Sequence, residues 1–182
     1  MNKVLLKTSV ISLLILMAAF SRLIPHPSNF TAIGAVAIFA GFLIPNRLLS
    51  FVIPMAAMYL SDLVINNLIY GTTDFIWFTE GTTWIYLGLI AHTLSAILFK
   101  RPTISNIAGA SLSGAILFFL ISNFGVWYGS GMYEKTLAGL SLCYTAALPF
   151  FGNVLAGNLI FCAVLFGAYF FLERKSPAFR AV

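Results

Sequence analysis

The segment most informative about this chain is Pro54-Met-Ala-Ala-Met-Tyr-Leu-Ser-Asp-Leu-Val-Ile-Asn-Asn67. It has the apolar character of a membrane-spanning helix, and a single carboxylate, Asp62, interrupts it. Placing a charged side chain at the centre of a bilayer costs roughly 2.5–3.5 kcal/mol on insertion scales. Asp62 is therefore expected to face the protein interior, a partner or water. Asn66 lies one helical turn further along the same face. This face is a candidate polar site.

The composition around that stretch is typical of a membrane protein. Of the 182 residues, 60% are hydrophobic and 8% are charged, whereas about a quarter of the residues in a soluble domain are charged. Hydropathy predicts an all-α integral membrane protein, a single domain over residues 1–182. Its bundle of six transmembrane helices has spans at about residues 4–21, 29–44, 49–68, 82–100, 104–127 and 152–172. Residues 136–148 have helical apolar spacing but are too short to span, so we predict an interfacial or re-entrant helix that ends at Pro149.

The basic residues predict the orientation of these spans. With the first segment retained as a helix and not cleaved as a secretory signal, both termini are predicted to be cytoplasmic. The basic residues then divide eight against two. The cytoplasmic side holds Lys3, Lys7, Arg47, Lys100, Arg101, Arg174, Lys175 and Arg180, and the opposite side holds Arg22 and Lys135. The net charge of +5 is explained by this topology. The expected partner is the lipid bilayer, and no nucleic acid is expected.

Sorting the polar residues by depth places most of them in the outer half of the bundle. The candidate substrate-binding residues are Arg22, His26, Asn29, Asp62, Asn66, Asn123, Trp127, Asn153 and Asn158. Two interpretations stay open, because Asp62 and Arg22 either lock the first and third helices together or set the polarity of a solute pocket. Trp127 is either an interface anchor or a stacking face. His92 falls in the inner half of the fourth span and is interpreted as a separate packing histidine.

Catalytic and metal-binding patterns are absent from the sequence. It has no H-E-x-x-H, no phosphate-binding glycine loop, no G-x-S-x-G and no C-x-x-C. The two cysteines, Cys143 and Cys162, make neither a disulfide framework nor a metal site. We predict no enzymatic activity, no metal and no cofactor. An acid–base pair of Asp62 and His26 would need both side chains within about 3 Å of one point.

Four runs resemble one uncharacterised bacterial membrane family. They are Arg22-Leu-Ile-Pro-His-Pro-Ser-Asn-Phe-Thr31 and the segments 54–63, 122–127 and 143–153. That family is similar to the substrate-binding S-components of energy-coupling-factor (ECF) vitamin transporters. The resemblance implies a multi-pass protein of the bacterial inner membrane with an outward-facing pocket. It implies uptake of a small vitamin-like or metabolite solute, with a transmembrane coupling protein and two ATPases as partners.

The chain departs from S-components in two respects. The A-x-x-x-A docking motif of their first helix is missing, because Ala18 and Ala19 are adjacent. Solitary cobalamin-transporting S-components use a cysteine that directly follows the third helix as their cobalt ligand. This chain has no cysteine at that place, because Cys143 and Cys162 lie much further along. The small residues Gly34, Ala37 and Gly41 form a close-packing face that is the alternative docking surface. The alternative function is a structural or assembly membrane protein that binds other helices through this face and through Gly109–Ala115.

Overall fold

The computed structural model describes residues 3–71 and 74–175, and every regular element in that part of the chain is helical. The helices are α1 (Lys3–Phe20), α2 (Ile33–Leu43), α3 (Arg47–Val64), α4 (Thr82–Phe99), α5 (Ile104–Gly129) and α6 (Leu137–Lys175). A 3-10 turn, Ser21–Leu23, follows α1, and a π-helical turn, Ile65–Ile69, extends α3. The all-α prediction is confirmed for the described residues. Arg180, which the topology prediction used, lies outside them.

Successive helices alternate in direction, so the connections gather at two ends of the bundle. Residues 24–32, 70–81 and 130–136 form the longer connections, and we call their side the long-loop end. Residues 44–46 and 100–103 form short turns on the opposite side, which we call the turn end. A hydrogen bond from Asn153 Nδ2 to the Ser28 carbonyl oxygen, 2.9 Å long, ties α6 to the first long loop. The long-loop end is therefore held together by contacts between distant parts of the chain.

α2 lies at the centre of the bundle. All nine residues from Ile33 to Gly41 are buried, and α2 packs against each of the other five helices. Gly41 allows α2 to approach α4 closely, because a Cβ added at Gly41 would lie 2.7 Å from the Thr93 carbonyl oxygen of α4. The predicted close-packing face of Gly34, Ala37 and Gly41 is thus buried within the chain. It is not a free surface for docking another protein.

α2 is shorter than the predicted span 29–44. The chain turns before it, where Asn29 adopts a left-handed φ of 63° and the Phe30 amide donates to the Pro27 carbonyl oxygen at 3.0 Å. The helix therefore begins only at Ile33. Its 11 residues give a length of about 16 Å, roughly half the thickness of the hydrocarbon core. α2 is an inner element of the bundle, too short to cross a bilayer by itself.

Four helices are long and apolar enough to cross a membrane. They are α3 with its π-helical turn (Arg47–Ile69), α4 (Thr82–Phe99), α5 (Ile104–Gly129) and α6 (Leu137–Lys175). α1 and α2 contribute the shorter apolar stretches Thr8–Leu23 and Ile33–Leu43. The structure therefore supports membrane association, with four of the six predicted spans meeting the length expected of a transmembrane helix.

The prediction of a separate re-entrant helix before the sixth span is wrong. α6 is one helix of 39 residues, with Pro149 inside it. A proline within a helix removes one hydrogen bond and costs about 3 kcal/mol, and packing on both sides of Pro149 offsets that cost. The ring of Phe119 in α5 contacts Tyr144 before the proline and Phe151 after it, at centroid distances of 5.6 and 5.5 Å. Tyr144 also donates to the Leu120 carbonyl oxygen at 2.7 Å.

Candidate functional site

Arg22 and Asp62 form an ion pair where the turn after α1 meets α3. Arg22 Nη1 lies 2.7 Å from Asp62 Oδ1 and 2.7 Å from Ser61 Oγ. The same nitrogen lies 3.2 Å from Met58 Sδ. The two charged side chains are only 15% and 20% exposed, so the pair is shielded from solvent. The predicted pairing of Arg22 with Asp62 is confirmed as a contact, and it joins the end of α1 to α3.

A small cavity of about 130 Å³ extends from Arg22 into the middle of the bundle. It is bounded by the first long loop, the start of α2, and the facing sides of α3, α4, α5 and α6. Its polar lining consists of Arg22, Asn29, Thr31, His92 and Asn158. Asp62 does not line it. Arg22 is therefore the one charged side chain in the described wall of this cavity.

His92 and Asn158 form a hydrogen-bonded centre at the inner end of the small cavity. His92 Nδ1 lies 3.0 Å from the Gly88 carbonyl oxygen, which only accepts, so Nδ1 carries the proton. His92 Nε2 then accepts from Asn158 Nδ2 at 3.0 Å. The second hydrogen of Asn158 Nδ2 points to the Ser111 carbonyl oxygen at 3.3 Å. The imidazole is thus neutral in this arrangement, and Asn158 keeps Oδ1 as an acceptor for another donor.

Two glycines leave room for this centre. A Cβ at Gly34 of α2 would lie 2.9 Å from His92 Nε2 and closer still to Asn158 Oδ1. A Cβ at Gly114 of α5 would lie 2.6 Å from His92 Cδ2. Phe118 covers the imidazole edge to face, with ring centroids 5.6 Å apart. Since real Cβ contacts are longer than these distances, the polar centre depends on glycine at both positions.

His92 is a buried packing histidine, as predicted, but the prediction that it is separate from the other polar candidates is wrong. His92 is 1% exposed and Asn158 is 1% exposed, and the two side chains meet directly. The depth estimate failed because α6 begins at Leu137 and not near residue 152. Asn158 therefore lies well inside its helix, level with His92. The two small-residue faces around Gly34 and Gly114 were the sequence signal that a bulky polar group lies between α2, α4 and α5.

A larger cavity of about 730 Å³ adjoins the small one at the long-loop end. The two share four wall residues, Asn29, Ile85, Phe118 and Val154. The larger cavity is bounded by the first turn of α4, the second half of α5 and α6 on either side of Pro149. Its aromatic lining consists of Trp84, Phe118, Phe119, Phe150 and Phe151. The two cavities therefore lie side by side, and we call them the two parts of one site.

Several predicted site residues contribute to this two-part cavity. Asn29 lines both parts, Arg22 and Asn158 line the small part, and Asn123 lines the large part. Asn123 Nδ2 donates to the Phe119 carbonyl oxygen at 2.8 Å. Its Oδ1 makes no hydrogen bond to any described residue, so it is available to a solute. Asn153 instead supports the wall through its bond to the first long loop.

The structure places His26, Asn66 and Trp127 outside both parts of the cavity. His26 is exposed, with Nδ1 2.6 Å from the Ile24 carbonyl oxygen. Asn66 and Asp62 share a narrow crevice against α4, on the other side of the ion pair. Trp127 anchors the last long loop, because its Nε1 donates to the Glu134 carbonyl oxygen at 2.8 Å.

Trp84 lines the large cavity, and sequence reasoning missed it as a site residue. Trp84 packs directly against Gly125 of α5 and meets Phe124 edge to face with centroids 5.3 Å apart. A partial signal was present, because Gly125 follows Phe124 within the run 122–127. A glycine beside aromatic residues in a helix permits a large side chain to pack on its backbone.

Metal-binding groups do not come together in the described chain. Within residues 3–71 and 74–175, no three side chains of the His, Cys, Asp and Glu types are placed to hold a metal ion. Cys143 and Cys162 are free and buried. Cys143 Sγ donates to the Asn123 carbonyl oxygen at 3.4 Å, so it stabilises the wall of α5 next to the large cavity.

The fold and the site together define a helical membrane protein with a two-part cavity at its long-loop end. The chain belongs to a family of unknown function, DUF6580, whose model matches residues 2–179. That match includes every candidate site residue. No curated protein and no solved structure matches the chain.

Proposed function

We propose that this protein binds a small solute in the two-part cavity and serves its uptake across the bacterial inner membrane. The observation that carries the proposal is the shared wall of the two cavities, which places a 730 Å³ space beside a 130 Å³ space lined by buried polar groups. Small-molecule sites are typically clefts of about 300–1,000 Å³ with mostly apolar walls and a few placed polar groups. The larger cavity is in this range.

The cost of the polar groups supports a binding role. Buried ionisable and amide groups within membrane-spanning segments are expensive and commonly mark substrate pathways. Here Arg22, His92 and Asn158 all line one connected space. A purely structural lock needs neither a cavity beside it nor an unused acceptor at Asn158 Oδ1. The arrangement is better explained by a solute that completes the hydrogen bonds.

The finer part of the proposal is the resemblance to ECF S-components. In it, the long-loop end faces the periplasm, both termini are cytoplasmic, and a coupling protein with two ATPases drives release of the solute. The division of basic residues, eight against two, supports this orientation. The docking surface for such a partner is not the face of Gly34, Ala37 and Gly41, because α2 is enclosed by the other helices.

The alternative function, a structural or assembly protein, has one observation in its favour, the shielded ion pair of Arg22 and Asp62. The two small-residue faces proposed for docking already pack against other helices of this chain. α2 is central, and a Cβ at Gly109 would lie 2.7 Å from the ring of Phe99 in α4. Since both small-residue faces already pack against α4, neither is offered to another protein.

A cavity-filling variant tests the proposed function. Val154 lines both parts of the cavity, so Val154→Phe is expected to block the junction between them. Val164→Phe is the matched control, because Val164 is on the same helix and 60% exposed at the surface. The proteins are purified in lipid nanodiscs, and small molecules released on denaturation are identified by mass spectrometry. We expect a discrete solute from wild type and Val164→Phe that is depleted in Val154→Phe. The proposal is wrong if wild type, prepared from cells grown in rich medium, releases the same molecules as empty nanodiscs.

A further inference from the structure

One edge of the Arg22 guanidinium has no hydrogen-bond partner among the described residues. All hydrogen bonds of this side chain to the described residues use Nη1, which contacts Met58, Ser61 and Asp62. Nε and Nη2 bond to none of the described residues. No buried side-chain nitrogen or oxygen in the described chain lacks a partner, so these two nitrogens are accessible. Because Arg22 lines the small cavity, a solute in that cavity meets two unused donors.

The geometry of that edge selects a particular anion. Nε and Nη2 present parallel N–H groups, the fork that binds a planar carboxylate with two hydrogen bonds. Asp62 holds the opposite side of the guanidinium and does not line the small cavity. Asp62 thus pairs with Arg22 from outside the small cavity, and Arg22 is the charged group in its described wall. No second cation lines the described wall, so a singly charged group fits better than a doubly charged phosphate.

The inner end of the small cavity adds a second requirement. Asn158 donates both Nδ2 hydrogens, to His92 and to Ser111, and its Oδ1 remains an acceptor. A solute group beside the carboxylate should therefore carry an N–H or O–H donor. The aromatic residues of the larger cavity, among them Phe118 on the shared wall, suit an apolar or aromatic body.

On this basis we propose that the small cavity is a carboxylate subsite. Arg22 Nε and Nη2 bind the carboxylate of the solute, Asn158 Oδ1 accepts from an adjacent hydroxyl or amine, and the apolar body lies in the larger cavity. The substrate class is a small monocarboxylic acid with a neighbouring hydrogen-bond donor. This inference rests on the proposed function, which would hold equally for a neutral solute.

Matched probes test the subsite. Thermal unfolding of the full-length protein in nanodiscs is measured with 3-phenyllactate, with its neutral amide, and with 3-phenylpropionate, which lacks the hydroxyl. We expect 3-phenyllactate to stabilise the protein, and to bind about 10- to 100-fold more tightly than the amide, because a hydrogen-bonded charge is lost in the amide. The deoxy acid should bind with intermediate affinity.

Substitutions assign the effect to Arg22. Arg22→Gln is expected to abolish the preference for the acid over the amide, whereas Lys135→Gln, which removes the other basic residue predicted at this end, is expected to keep it. Asp62→Asn retains the Arg22 cation and removes its carboxylate partner, so it should keep or strengthen the preference for the acid over the amide. This variant still tests the subsite if Arg22→Gln does not fold. The subsite is refuted if the amide binds wild type as well as the acid does, or if the solute released from the purified protein has no carboxyl group. The proposed function fails separately, when no solute is released at all.

Discussion

Gly34 provides the space that His92 and Asn158 occupy. Gly34→Ala would force the added methyl group against Asn158 Oδ1 and His92 Nε2. Overpacking of this kind costs typically 1–3 kcal/mol, so we expect the free energy of unfolding to fall by about that amount. Release of the solute should also decrease, since the polar centre must shift. The measurements are thermal unfolding in nanodiscs and mass spectrometry of the released solute.

Gly167→Ala is the control for this prediction. Gly167 is also inside a helix, but a Cβ there would meet nothing within 4 Å. Alanine is favoured over glycine in a helix by up to about 1 kcal/mol, so this variant should be as stable as wild type or slightly more so. If Gly34→Ala behaves like Gly167→Ala in both measurements, the close packing around His92 and Asn158 is not as described.

The contact between Arg22 and Asp62 could be predicted from the sequence, because it depends on charge. A carboxylate in an apolar helix needs a partner, and Arg22 was the basic residue predicted at the same depth; the two meet at 2.7 Å. Sequence reasoning failed for His92 and Asn158, because their contact depends on where α6 begins. It also chose Trp127 over Trp84, since sequence shows which aromatic residues are near the interface but not which way they face.

Among the helices, α6 differs most from its prediction, and the difference lies at Pro149. This proline was predicted to end a helix, yet α6 continues through it from Leu137 to Lys175. Pro149→Ala restores the missing backbone donor to the Thr145 carbonyl group. We expect this variant to be more stable than wild type by up to about 3 kcal/mol, as measured by thermal unfolding in nanodiscs.

Tyr144→Phe is the companion variant, because it removes the hydroxyl that donates to the Leu120 carbonyl oxygen in α5. Loss of that bond should destabilise the protein by about 0.5–1.5 kcal/mol. A large loss of stability in Pro149→Ala would contradict the account of α6, since it would show that the proline is required for a break between two separate helices.

The helix boundaries that were predicted well include two with side-chain caps. α3, α4 and α5 begin or end within two residues of the predicted positions. Asn46 Oδ1 accepts from the Leu49 amide at 3.1 Å, and Thr103 caps α5 in the same way. α2 was overestimated, because the apolar run from residue 29 includes a turn that only the left-handed conformation of Asn29 reveals. Hydropathy detects apolar segments and does not distinguish a helix that crosses the bilayer from one enclosed by others.

At the scale of the whole molecule, the polar groups and the open space coincide at the long-loop end. The predicted orientation places this end on the periplasmic side, so the cavity should admit a solute from there. Sequence reasoning located the polar residues at this end but not the cavity itself, whose walls are formed by packing of α4, α5 and α6. Four residues from different parts of the chain, not any single motif, line both spaces and bring them together.

Cysteine accessibility at Val154 tests whether the cavity opens to the periplasm and holds a solute. Val154→Cys puts a thiol at the junction of both parts of the cavity, while the native Cys143 and Cys162 are buried and should give little background. Val164→Cys, on the surface of the same helix, is the control, because its thiol is expected to face hydrocarbon. A membrane-impermeant maleimide is applied to the periplasmic face of spheroplasts, with and without a small-molecule extract of the cells. We expect Val154→Cys to be labelled from the periplasm and protected by the extract, and Val164→Cys to remain unlabelled. Labelling of Val154→Cys only from the cytoplasmic face, or labelling that the extract leaves unchanged, would contradict this expectation.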